Sequence, residues 1–254
     1  MILINKKKEN RERYYLNLIK TLVLKYNRKH WYRMITMLLK FELNIIMNHK
    51  KVLRLMNKYD LLSIIRKKDP YSKIRKADQE HRTFKNILNR EFKWLKPFSK
   101  LWTDITYINL NWKWCYLSII KDIISWEILS SQISNNLWLW FVQDSLKDLE
   151  KVNINKAIIH SDQWFHYTHP SYSRKVKELW LIQSMSRKWN CIDNSPTESF
   201  FWHLKDEIDT SKCTNLNELE KYIKNYIFYY NYKRPQWNRK KMTPVQYRNH
   251  LLDN

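Results

Sequence analysis

The spacing of apolar positions changes along this chain, and the change divides it. Over residues 10–65 apolar side chains recur at three- and four-residue steps, which predicts helices. The clearest run, Asn48 to Tyr59, sets Val52, Leu55, Met56 and Tyr59 at i, i+3, i+4 and i+7 as one buried stripe, with Asn48 placed to cap it. The same helix turns Lys50, Lys51, Arg54 and Lys58 away from that stripe. With the apolar segment starting at Trp31 upstream, the pattern predicts a small helix-turn-helix-like bundle; a basic amphipathic helix with only a packing role is the alternative. Residues 66–95 are polar, basic and weakly periodic, so they read as a basic linker.

From about residue 96 the pattern becomes strand-like. Leu101–Leu110, Trp114–Ile120 and Glu127–Ile133 are short β-branched and aromatic segments at close spacing, which predicts an antiparallel meander. A helix over Asn136–Glu150, a strand over Lys156–His160, a helix over Pro170–Leu179 and a strand over Leu181–Ser184 follow. Pro196 marks the first turn of another helix running to about Ile208, and Leu216–Tyr230 makes a last one. Hairpin-paired strands that then alternate with helices give an α/β fold, a mixed sheet flanked by helices, over 96–232. Residues 233–254 read as a basic C-terminal tail.

Charge adds a partner to this outline. The net charge is +23, with 47 basic and 24 acidic side chains among 254 residues. Residues 1–100 hold 27 basic and 8 acidic side chains, residues 101–232 hold 14 and 15, and residues 233–254 hold 6 and 1. A nearly neutral middle between two basic arms points to a polyanion, DNA above all, gripped by the ends of the chain. Lysine-rich codon usage is the bland alternative, although it should not spare the middle. Cys115, Cys191 and Cys213 form no Cys-x-x-Cys pair, which argues against a disulfide framework or a cysteine zinc site and suits a reducing cytosol. No run approaches 18 uninterrupted apolar residues and no signal-peptide profile opens the chain, so neither membrane insertion nor secretion is expected.

Three acidic residues carry the candidate chemistry. Asp104 sits within the first predicted strand, where a carboxylate is costly unless paired or metal-bound. Asp162 follows the carboxyl end of the 156–160 strand, where open α/β sheets place ligands. Glu198 falls in the first turn of its helix, and Lys205, two turns on, projects from the same side. Each alone is more often a surface or capping group, but two strand ends and a following helix together make a few-carboxylate cage for hard divalent cations. His160, His166 and His169 cluster without cysteines, a weaker zinc candidate, and His160 suits a supporting role beside Asp162. Trp112, Trp114, Trp138 and Trp140 are candidates for base stacking, with core packing as the bland reading. Neither a P-loop nor a G-x-G-x-x-G fingerprint exists, even with Gly written for every Trp, which excludes those modes of nucleotide binding.

In order along the chain, His160-Ser-Asp-Gln, Gln183-Ser-Met-Ser-Arg-Lys, Asn190-Cys-Ile-Asp-Asn, Glu198-Ser-Phe-Phe and Lys205 resemble the signature of bacterial insertion-sequence transposases with a retroviral integrase-like core. The likeness is to the second reading frame of the large family encoded by two overlapping frames. Between Asp162 and Glu198 lie 35 residues, the spacing that defines this family's acidic triad. Tyr229-Tyr-Asn-Tyr-Lys-Arg-Pro and Met242-Thr-Pro-Val-Gln-Tyr-Arg resemble its C-terminal motif, and Asn48 to Met56 its helix-turn-helix-like region. The resemblance implies a ribonuclease H-like core in which Asp104, Asp162 and Glu198 hold two Mg2+ ions, with Mn2+ as a substitute. It implies cleavage of mobile-element ends and their transfer into target DNA, by a homo-oligomer acting on DNA at the bacterial nucleoid. Contacts to DNA would come from Lys205, Lys50, Lys51, Arg54, Lys58, Lys188, Lys233 and Arg234. A first-frame partner fused upstream is a further implication. A related nuclease without strand transfer, or a catalytically dead DNA-binding copy, is the alternative.

One anomaly remains. The chain has no glycine where an average composition of about 7% gives roughly 18. It has 13 tryptophans instead. Trp180 lies between a predicted helix and strand, where a left-handed cap favours Gly. Trp189 lies in a polar loop, Trp164 directly follows Asp162-Gln163, and the resembled family carries glycine at Trp164, Trp180, Trp189 and Trp202. The expectation is that some UGA codons mean glycine in the gene's own genome and are written here as tryptophan.

Overall fold

Five strands form one mixed sheet in the order β3-β2-β1-β4-β5. The computed structural model describes residues 2–64, 84, 96–152, 154, 156–186 and 195–253, without the side chains of 2–9 and 195–198. The 66–95 linker (apart from residue 84), Lys188 and Trp189 therefore lie outside the described residues. By contact density the chain falls into two compact units, Met1–Pro70 with Pro235–Met242, and Tyr71–Arg234 with Thr243–Asn254.

In the larger unit, β1 (Lys100–Leu110), β2 (Lys113–Asp122) and β3 (Ile128–Ser134) are the expected antiparallel meander. β4 (Ile158–Ser161) and β5 (Ile182–Met185) then add on parallel to β1. Side chains alternate across the sheet, so β1 feeds two cores. Ile108 and Leu110 pack with Phe200, Phe201 and Leu204 of α7 (Ser195–Glu207) and with Leu219, Ile223 and Tyr230 of α8 (Leu216–Tyr232). Leu101 and Ile105 pack on the other face with Phe141, Val142 and Leu146 of α4 (Leu139–Lys147) and Tyr172 and Val176 of α6 (Pro170–Glu178). The short α5 (Phe165–Thr168) joins β4 to α6 and was not expected. These helices cover both faces of the sheet, the α/β layering that the alternation of patterns predicts.

The smaller unit is helical. α1 (Ile2–Lys25) contributes Ile19, Leu22 and Val23, α2 (Tyr32–Leu43) Ile35, Leu38 and Leu39, and α3 (His49–Lys58) Val52, Leu55 and Met56 to one core. The Asn48 side chain accepts the Lys50 amide at 2.8 Å and starts α3 as expected.

The segment 233–254 is not uniform. Pro235–Met242 counts with the helical unit, where Trp237 joins the core. Pro244–Leu252 forms α9 within the larger unit, opened by a capping box between Thr243 and Gln246. Among the described residues no helix is long and apolar enough to cross a membrane.

Candidate active site

β1 and β4 run parallel with Trp102 opposite His160. Carrying that register two residues on sets Asp104 beside Asp162, just past Ser161 at the end of β4. Both carboxylates therefore stand at the carboxyl edge of β4, the edge where sheets of this layout bind ligands.

The electrostatics of the neighbouring phenols support that adjacency. Tyr167 is wholly buried, and its phenol is pushed well above the usual range by burial, then by Asp104, Tyr172 and Asp162. Both carboxylates therefore act on one buried phenol. Tyr107, three residues past Asp104 on β1, is raised by burial first, then by Tyr116 and Asp162. Neither tyrosine was marked by the sequence.

Local bonds fix the pair. Asp104 Oδ1 accepts the Ile105 amide at 2.8 Å. Asp162 Oδ1 accepts the Trp164 amide at 3.0 Å, an Asx turn that bends the chain out of β4. Gln163 Nε2 donates to the Ser186 carbonyl at 2.9 Å and ties this turn to the end of β5.

Glu198 falls in the first turn of α7, and its side chain lies outside the described residues. The placement of α7 still matters: the helix packs on β1 through Phe200, Phe201 and Leu204 beside Ile108 and Leu110. Asp104 alternates onto that same face of β1.

The donor chemistry fits a hard divalent cation. Two carboxylates offer oxygen ligands of the kind Mg2+ prefers, and among the described residues Cys115 and Cys213 are both buried in the core with α7 and α8. Among the described residues no three of His, Cys, Asp and Glu gather closely enough to hold an ion by themselves. The zinc candidate is corrected by the same geometry, since the three histidines have separate partners. His160 Nδ1 lies 3.0 Å from Ser184 Oγ, His166 Nε2 lies 3.0 Å from the Leu137 carbonyl, and His169 caps α6 by accepting the Ser171 amide. His160 is fully buried within β4, edge-on to Trp102 of β1 at 5.8 Å and two residues before Asp162.

An integrase core domain profile matches residues 95–191 and a second one residues 198–252, while an HTH-like domain matches residues 9–69. A putative transposase for insertion sequence element IS150 of Escherichia coli (strain K12) is 36% identical over 224 residues, covering 87% of this chain and 78% of that protein. The chain belongs to the insertion-sequence transposases. An uncharacterized transposase-like protein of Haemophilus influenzae is 36% identical over 227 residues, covering 85% of this chain and 100% of its own length. The HTLV-2 integrase catalytic core domain, solved in complex with magnesium, superposes with a TM-score of 0.50 at 14% identity, over 61% of this chain and 98% of that one. A chain of the simian T-cell lymphotropic virus intasome in complex with PP2A regulatory subunit B56 gamma gives 0.51 at 13% identity, over 80% and 67%. At such identities the likeness is one of fold, and the transposase has the ribonuclease H-like core that the sequence implied.

The candidate DNA-contacting cations of the transposase separate into kinds. Lys50 is exposed on α3, and Lys51 sits with its ammonium 4.4 Å over the Tyr15 ring. Arg54 and Lys58 both reach Glu12, at 3.0 and 2.8 Å, while remaining more than half exposed. Lys205 is partly exposed on α7, and exposed Lys233 lies 5.8 Å from the Phe228 ring centre.

Arg234 is a correction. Its side chain is 5% exposed and grips Glu207, itself 7% exposed, with Nη2 and Nε at 2.7 and 3.1 Å from one carboxylate oxygen. Burial opposes its charge, but Glu207 and Tyr226 outweigh that and hold the guanidinium above its usual range. A fork already filled by a buried carboxylate has no face left for a phosphate.

Proposed function

We propose that this transposase cuts the ends of its own mobile element and joins them to target DNA by magnesium-dependent transesterification. The observation that supports the reading is the position of Asp104 within β1 and of Asp162 just past the end of the parallel β4, with α7 packed on the Asp104 face of the sheet. Asp104, Asp162 and Glu198 would hold two Mg2+ ions. When bound, the ions lower the pKa of the attacking water or 3′-hydroxyl and offset charge on the leaving oxygen. The residues do the rest. Converging carboxylates alone would repel a phosphodiester, so they admit DNA only once their charge is neutralised. Lys205, two turns after Glu198, would hold a phosphate of the element end beside them. Lys50, Lys51, Arg54 and Lys58 on α3 would grip the backbone of element DNA, with Lys188 and Lys233 adding phosphate contacts. Two ends must be held at once, so a homo-oligomer on DNA is the working form, with a first-frame partner fused upstream as a further source of DNA reading.

Labelled element ends, taken from the inverted repeats flanking the gene, are incubated with the protein, plasmid DNA and Mg2+. Joined products are expected, and Asp162→Asn and Asp104→Asn should remove them while leaving the steep salt dependence of DNA binding in place. Joining that survives either substitution would sink this mechanism, and cleavage without joined products would reduce the protein to a nuclease.

A further inference from the structure

Twelve described residues other than glycine have positive φ, and three of them are tryptophans: Trp112 at 66°, Trp126 at 70° and Trp180 at 57°. A bulky aromatic in that region is an outlier, and each of these three stands in a local structure with its own demand for glycine. Asn111 and Trp112 are the two-residue loop between β1 and β2, closed by Leu110 opposite Lys113, with φ of 47° and 66°. Positive φ at both positions is the type I′ hairpin turn, whose preferred pair is Asn-Gly. Trp180 is the second residue beyond α6, where the Leu181 amide bonds the Val176 carbonyl at 3.0 Å and the Trp180 amide bonds that of Lys177 at 2.9 Å. These two bonds define the Schellman motif, and its left-handed residue is usually Gly. Trp126 closes the β2–β3 connection, its amide on the Asp122 carbonyl at 3.0 Å.

At two of the three positions the side chains agree with the backbone, while the partly buried Trp126 takes the Lys121 ammonium over its ring at 4.9 Å. Trp112 is 95% exposed and Trp180 75% exposed, so neither indole is used for packing. Trp102 behaves in the opposite way: it is 1% exposed, lies in regular β1 and packs on His160 and Ile123. Trp237 packs on His49 and takes Arg33 over its ring within the helical core.

We infer that the tryptophans are of two origins: residues 112, 126 and 180 are glycine in the protein as its own cell makes it, and Trp102 and Trp237 are tryptophan. UGA is one base from both the glycine codon GGA and the tryptophan codon UGG, so one reassigned codon accounts for the misplaced indoles. The backbone at Trp164 is ordinary, at φ −69°, and does not itself demand glycine. Its indole is partly buried against the core beneath it, 6.0 Å from the Tyr107 ring.

The gene's codons and peptides from the native cell test this directly. UGA at 112, 126 and 180 with UGG at 102 and 237, and glycine masses in peptides spanning 126 and 180, are expected. Tryptophan masses in those native peptides would overturn the inference, as would UGG at the three left-handed positions. As an independent arm, Trp112→Gly, Trp126→Gly and Trp180→Gly in the literal chain should each raise Tm by about 2–4 °C, from relief of left-handed strain net of glycine's entropy. Trp102→Gly should lower Tm; a fall at the first three sites or a rise at the fourth would count against the inference.

Discussion

Truncating Arg234 to alanine should destabilise the larger unit severely while leaving the electrostatics of DNA binding alone. The guanidinium and the Glu207 carboxylate are 5% and 7% exposed and joined at 2.7 Å, with Nε also 3.1 and 3.2 Å from the two oxygens. The Tyr226 hydroxyl donates to the same carboxylate at 3.1 Å. Removing the arginine strips a buried negative charge of its cation, and breaking a buried pair in this way costs about 3–5 kcal/mol. For a domain of this size each kcal/mol is worth about 2–4 °C, so Tm should fall by roughly 6–20 °C. Replacing both partners with apolar residues of similar volume, Arg234→Met with Glu207→Leu, should recover most of that loss, because no charge is left buried. Thermal unfolding of the two variants, read together with salt-dependent DNA affinity, makes the test. A phosphate contact would reveal itself as a slope of log K against log[salt] reduced by about 0.9, with Tm barely altered. That result would refute the assignment of Arg234 to the core and return it to the DNA surface.

Three further outcomes are expected. Asn48→Ala should cost the helical unit about 1 kcal/mol in urea denaturation, since its carbonyl oxygen satisfies the Lys50 amide at 2.8 Å at the start of α3. Lys58→Ala and Arg54→Ala should each reduce the salt slope of DNA binding by about 0.9, and an unchanged slope in both would remove α3 from the DNA interface. Glu218 is held below the usual carboxylate range chiefly by the Thr214 amide, then by the Thr214 hydroxyl and Asn215. A lowered folded pKa means that its stabilisation is present above the ordinary carboxylate pKa and is lost as pH falls through the lowered value. Stability curves of wild type and Glu218→Gln should therefore differ at neutral pH and converge in acid, and parallel curves would contradict the assignment.

Much of the fold was legible because local pattern and tertiary demand agree. β1 to β3 announce themselves through β-branched and aromatic residues that must fill two cores at once, and α3 through a stripe and a cap that the packed unit uses as they stand. α9 was hidden by composition. Reading 233–254 as a charged arm passed over Thr243-Pro-Val-Gln246, a helix start whose capping box and Pro244 were visible in the letters. The segment before it, 235–242, could not be assigned by any local rule, because Trp237 finds its core only in a unit more than 170 residues earlier in the chain.

The candidate site divides along the same line. Asp104 and Asp162 stand out in the sequence because each breaks a local expectation, a carboxylate within or just after an apolar strand, and the strands that carry them are parallel neighbours. Arg234 was not, since its sequence neighbours are those of a DNA-binding tail and its partner lies 27 residues away. The tryptophans show why local inconsistency is informative. Trp112 and Trp180 contradict the turns they occupy, and a sequence that folds to one state keeps such contradictions for function or strain. Indoles this exposed contribute no packing to justify the strain, which leaves the identity of the residue itself as the term to change. Glycine at these positions removes the conflict between residue and turn.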